Sequence, residues 1–230
     1  NIAGNTYEPA APLPSGRWSG KLVKVRDSLY LVGSRDSALK PPDGQIYKYS
    51  LTQNTWVIKA TMPEPFVYES AVCVINDSLI CVIGGSKNGF LSPQNMISVY
   101  DPWQNSWRTL TSLYPVNITT AHAEYSGIDT SIIVVGGYGN GNVNLINKGN
   151  ITFQGGDTMF ISWLAFGIDG TTPFGTGVYR VAGAKWNDYM LFGPAMNGTS
   201  TIAQIWGLKI IDTASYNWIR FDPGSNDSAG

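Results

Sequence analysis

The sequence predicts an all-β fold built from four repeats of about fifty residues, each of four short strands. Three observations carry this. Glycines 33, 84, 136 and 193 close four similar apolar–turn–apolar stretches and are spaced by 51, 52 and 57 residues. An aromatic residue follows each of them, at Trp56, Trp107, Phe166 and Trp218. Charged residues make up only 13% of the chain, whereas 26 of 230 residues are glycine and 12% are aromatic, a balance that suits turn-rich β structure.

The N-terminal stretch, 1–16, fits the end of such a repeat. Asn5-Thr6-Tyr7 aligns with Asn54-Thr55-Trp56, and Leu13-Pro14 with Met62-Pro63. It reads as the outer strand and loop of a preceding or closing unit. The first full unit, 17–63, opens with Lys21-Leu-Val-Lys-Val, turns, and runs to Gly33 before Asn54-Thr55-Trp56. The second, 67–114, is the clearest. Its strands are expected at Glu69 to Ile75, Leu79 to Gly84, Met96 to Asp101 and Asn105 to Thr111. Asn76-Asp77-Ser78 is its first hairpin turn, since Asn and Asp tolerate the positive φ that tight turns demand.

The third unit, 118–173, runs from His122 to Gly136-Gly137 and then carries about eight extra residues before Phe166, read as a longer loop or hairpin. The fourth, 176–223, passes through Trp186-Asn187-Asp188 to Gly193 and reaches Trp218, with Pro223 nearer its aromatic than the prolines of the other units. The whole chain, 1–230, reads as a single domain.

These residues resemble the kelch repeat family. The match is a strand, Gly-Gly, a Tyr-Asp-Pro turn and then Trp, best seen in Gly84-Gly85, Tyr100-Asp101-Pro102 and Trp107. The resemblance implies a kelch-type β-propeller of about four four-stranded blades plus an N-terminal strand, forming part of a larger propeller. Such folds leave only short, protected sheet edges. The ring is expected to be completed by further blades after Gly230 or by a partner, ahead of a closed four-bladed ring.

Function classes can be narrowed. A net charge of −1 gives nucleic acid or an anionic membrane no global attraction. No apolar run nears the roughly 18 residues needed to cross a bilayer, so this segment is not expected to insert in a membrane. The single histidine, His122, is expected to line the channel rather than to ligate metal, because one imidazole cannot supply a zinc or copper set. Galactose oxidase is a distant propeller relative with a copper site of Tyr, His and a Cys cross-linked to a Tyr, and this chain has no second His. No catalytic residue, cofactor site or metal site is therefore assigned, and the chain is not expected to be an enzyme.

Cys73 and Cys81 flank a three-residue turn and should stand opposite each other. A cross-strand disulfide and a pair of buried thiols both remain open. Five N-glycosylation sequons begin at Asn76, Asn117, Asn150, Asn197 and Asn226, all near expected turns or loops. Chance would supply about two or three, so glycans are expected at some of them. The loops after the glycines offer Arg35, Lys40, Lys87, Phe90 and Tyr138 as exposed binding candidates.

The sequence thus points to a non-catalytic binding or scaffold module, extracellular or at the cell surface. Its expected partner is a protein, a glycan or further copies in a surface assembly. Two alternatives are an oxidase propeller with its active site elsewhere in a longer chain, and an intracellular kelch substrate adaptor.

Overall fold

A computed structural model describes residues 9–36, 41–88, 91–154, 158–166, 171–212 and 215–221. All regular structure among these residues is β. The first blade is β1 (Lys21–Val25), β2 (Ser28–Val32), β3 (Gln45–Ser50) and β4 (Thr55–Thr61). The second is β5 (Ala71–Ile75), β6 (Leu79–Ile83), β7 (Ile97–Asp101) and β8 (Ser106–Thr109). The third is β9 (His122–Ser126), β10 (Ser131–Val135), β11 (Ile146–Gln154) and β12 (Thr158–Ala165). The fourth is β13 (Gly183–Trp186), β14 (Tyr189–Phe192), β17 (Ile205–Ile210) and β18 (Tyr216–Phe221), with the small hairpin β15 (Ala195–Asn197) and β16 (Ser200–Ile202) set into its loop. Each blade is an antiparallel sheet in chain order, and the inner strands β1, β5, β9 and β13 lie side by side.

Burial follows position. β5 and β10 are buried almost throughout, because blades two and three are covered on both faces. β1 alternates between exposed and partly buried residues, as a strand covered on one face must. One apolar core joins blades one and two through Val25, Tyr30, Val32, Ile80 and Tyr100. A second joins blades two and three, and a third joins blades three and four through Ile133, Phe192 and Leu208.

A tryptophan locks each of blades two, three and four to the one before it. The register places Trp56 opposite Tyr49, Trp107 opposite Tyr100, Trp163 opposite Gly149 and Trp218 opposite Leu208. Trp107, Trp163 and Trp218 pack against the three successive cores. The aromatic landmark of the third blade is therefore Trp163 and not Phe166. Phe166 holds the place of Leu110: its N–H bonds Ile146 O, as Leu110 N–H bonds Ile97 O. The extra residues of this blade lengthen the β11–β12 hairpin to nine and eight residues, which displaces the sequence alignment.

At Trp56 the neighbour is the N-terminal segment. Trp56 Nε1 donates to Ala11 O at 2.9 Å, and Ala11 N donates to Asn54 Oδ1 at 2.7 Å. Tyr7 itself lies outside the described residues. The doubled glycines serve docking between blades. Gly85 N donates to Ile118 O and Gly137 N to Val178 O, and a Cβ on Gly84 would lie 2.4 Å from Ile118 O. Gly84 and Gly85 have φ of 61° and 96°, which no other residue adopts cheaply.

Candidate functional site

The β2–β3, β6–β7, β10–β11 and β14–β17 loops share one face of the blades with the connections that lead into the inner strands. On this face each blade repeats one small construction. The lead-in residues Trp18, Tyr68, Thr119 and Tyr179 form single antiparallel bridges with Arg35, Ser86, Tyr138 and Met196. Each lead-in N–H donates to its partner's carbonyl, at 2.8, 3.0, 2.9 and 2.9 Å in that order. The bridge turns the loop back over the channel mouth and fixes the side chains there.

The next residues, Ser19, Glu69, Thr120 and Arg180, have φ of 57°, 55°, 57° and 50°. A left-handed residue other than glycine costs roughly 1–2 kcal/mol, and such strain gathers at functional sites. Here it recurs once per blade. Three of the four are linked in series around the mouth, and the residue after the fourth, Val181, continues the line. Ser19 Oγ donates to Glu69 Oε1 at 3.3 Å, Thr120 N to Glu69 O at 2.7 Å, and Val181 N to Thr120 O at 3.4 Å. Burial pushes the Glu69 carboxyl above its ordinary range, against the opposing pull of Arg180, Ser19 and Arg35.

Aromatic rings and guanidinium groups complete the rim. Arg35 lies 4.3 Å from the Trp18 ring centroid and 4.1 Å from that of Tyr68. Tyr138 meets Tyr179 edge-on at 6.0 Å, and Arg180 lies 5.9 Å from the Tyr179 ring. Behind the rim the inner strands line a cleft of about 690 Å³. Within it His122 Nε2 stands 2.8 Å from Glu124 Oε1. Burial lowers the Lys21 ammonium's pKa, and Glu124 works in the opposite direction. His122 is thus a channel-lining residue. Its ring fits against blade four because Gly183 has no side chain: a Cβ there would meet the imidazole at 2.5 Å.

The sequence-derived candidates fare unevenly. Arg35 is not an exposed loop residue. It is 7% exposed, because its bridge to Trp18 tucks the side chain between two rings. Tyr138 is half-buried on the rim and Lys87 is exposed. Lys40, Phe90 and Asn226 lie outside the described residues. Glu69, Thr120 and Arg180 were not singled out, because their residue types carry no local signal. Only their place just before each inner strand does.

Among the sequons, Asn117 is exposed in the connection before β9, and Asn76 is exposed while its Oδ1 accepts from Tyr125 OH at 2.7 Å. Asn150 lies within β11, paired on both sides, and not in a turn. At Asn197 the amide nitrogen that would carry a glycan already donates to Thr176 Oγ1 and Gly177 O, both at 2.8 Å. Cys73 and Cys81 are direct cross-strand partners, buried and unbridged. The contact with Cys81, together with burial, raises the Cys73 thiol's pKa well above its usual value. Among the described residues no three His, Cys, Asp or Glu side chains gather as a metal site. Among the described residues no helix is long and apolar enough to cross a membrane.

Comparison with known proteins agrees with the geometry. The kelch motif profile matches residues 68–114, the second blade. Kelch-like protein 35 of Mus musculus is 28% identical over 133 residues, covering 58% of this chain and 22% of that protein, so the chain spans about a fifth of its relative's length. Among solved structures, that of YjhT superposes with a TM-score of 0.67 at 16% identity, over 95% of this chain and 68% of the other. The chain thus has the fold of a kelch-type β-propeller, and its second blade carries a kelch motif.

Proposed function

We propose that this chain is a non-catalytic, protein-binding scaffold module that holds its partner on the loop face, over the channel mouth. One observation carries the reading: the rim that Trp18, Tyr138, Tyr179 and Arg180 present on successive blades, with Trp18 braced from beneath by the buried Arg35 and Tyr68. Aromatic and arginine side chains held rigid at the centre of a face are the residues that dominate protein interfaces. The family is mostly non-enzymatic, which supports binding over catalysis. Cross-linking the full-length protein in its native extract, with the cross-links mapped by mass spectrometry, tests this. Cross-links concentrated on the lead-in and β2–β3 type loops support the reading, and cross-links confined to the opposite face oppose it.

The setting we infer is extracellular or cell-surface, on the excess of sequons and the exposed Asn117. An intracellular adaptor is the second reading, favoured by the unbridged Cys73 and Cys81. Intact mass before and after enzymatic removal of N-glycans separates the two. A glycan shift supports the first and its absence the second.

A further inference from the structure

A second polar cleft lies away from the channel, where blades three and four part. It measures about 420 Å³, within the size range of small-molecule sites. Blade three supplies Asp129 from the β9–β10 turn, Lys148 and Asn150 from β11, and Phe166 from beyond β12. Blade four supplies Asp212 and Tyr216.

The cleft contains an ion pair that packing does not require. Lys148 Nζ stands 2.6 Å from Asp129 Oδ2, and the two side chains are 10% and 1% exposed. Ser131 Oγ donates to the other Asp129 oxygen at 2.6 Å. A buried pair of this kind contributes little that apolar side chains would not, so its place at the back of a cleft calls for another role. Lys148 also lies 5.5 Å from the Phe166 ring, and Phe166 lies 4.5 Å from Tyr216. Asn150 is two residues from Lys148 on one strand, so both side chains leave the same face.

The cleft therefore offers an aromatic wall, an amide and fixed carboxylates in one small space. Asp129 and Lys148 neutralise each other. Asp212, whose Oδ1 accepts from Ser215 N at 2.7 Å, leaves the lining acidic and unsuited to an anion. The ligand that matches is one with an apolar C–H face and many hydroxyls. We propose that the cleft between blades three and four binds a neutral pyranose sugar, stacked on Tyr216 and hydrogen-bonded by Asn150 and by Lys148, which Asp129 holds in place. This role for Asn150 is incompatible with a glycan on its amide nitrogen.

The test titrates the full-length protein with the methyl glycosides of glucose, galactose, mannose and N-acetylglucosamine, with glucuronate as the anionic comparator, read by saturation-transfer NMR. At least one neutral glycoside binds saturably and more tightly than glucuronate. Tyr216→Ala and Asn150→Asp each weaken it about tenfold, the loss of one wall or one amide donor. Tyr216→Phe keeps the wall and binds within about twofold of the parent. Circular dichroism checks that each variant is folded, and Asn150→Asp is nearly isosteric should Tyr216→Ala fail to fold. Absence of saturable binding to any neutral glycoside overturns the proposal. So do stronger binding of glucuronate, unchanged binding in both variants, or an N-glycan found on Asn150.

Discussion

Gly149 and Trp163 face each other across β11 and β12, and a Cβ on Gly149 would fall 2.7 Å from the Trp163 ring. Elsewhere a larger residue pairs with the blade's tryptophan, such as Tyr100 with Trp107, whose rings lie 5.0 Å apart. In blade three the glycine makes room for the indole to meet Tyr114 edge-on at 4.9 Å. Gly149→Ala should therefore destabilise the chain by about 1–3 kcal/mol through overpacking. Gly16→Ala, where nothing lies within 4 Å, should be near neutral. Urea unfolding of both variants checks the difference.

Arg35 is held by two rings, so its loss should be felt as lost packing as well as lost charge. Arg35→Ala should cost about 1–2 kcal/mol. Lys87→Ala, on the same face but exposed, should change stability by less than about 0.5 kcal/mol. Thermal unfolding distinguishes them.

Glu69 and Asp129 should give opposite pH dependence. Burial holds the Glu69 carboxyl above its ordinary 4.5, so the folded state resists its ionisation. Its stability contribution is intact in acid and falls as pH rises from the ordinary value through the raised one. Glu69→Gln should thus stabilise the chain at neutral pH and not in acid. The Asp129 carboxyl is desolvated, but Lys148, Ser131 and Ser126 more than offset this and hold it below its ordinary 3.8. Its contribution is present above that value and is lost as pH falls through the depressed one. Asp129→Asn should cost about 3 kcal/mol at neutral pH, the lower end for breaking a buried pair, and progressively less in acid. Unfolding free energies across the acid range check both signs.

Cys73 and Cys81 should behave as two protected thiols. Alkylation should be slow in the native state, where both side chains are buried and, at Cys73, the contact with Cys81 and burial disfavour the thiolate. Both should label in denaturant without reductant. Failure of both to label in denaturant would show a disulfide and an oxidising setting.

Much of the fold was legible in the sequence because the features that dock blades are chemically distinctive. Gly84-Gly85 and Gly136-Gly137 must be glycine for a neighbouring carbonyl to approach, and Trp56, Trp107 and Trp218 fill the same position. Phe166 misled because the longer β11–β12 hairpin moved the equivalent tryptophan three residues upstream of it. The rim was harder to read. Arg35 looks like a solvated loop residue until its bridge to Trp18 is known. Ser19, Glu69, Thr120 and Arg180 share a backbone conformation and not a residue type, so no pattern of letters marks them.

The loop-face account is tested most directly by recovering bound proteins with the full-length chain and with two variants, Tyr179→Ala with Arg180→Glu on the rim and Trp103→Ala on the opposite face. Trp103 is 85% exposed, so its removal leaves the fold intact. The account predicts that the rim variant loses the partners recovered by the parent, while Trp103→Ala keeps them. Retention by the rim variant, with loss in Trp103→Ala, would contradict it.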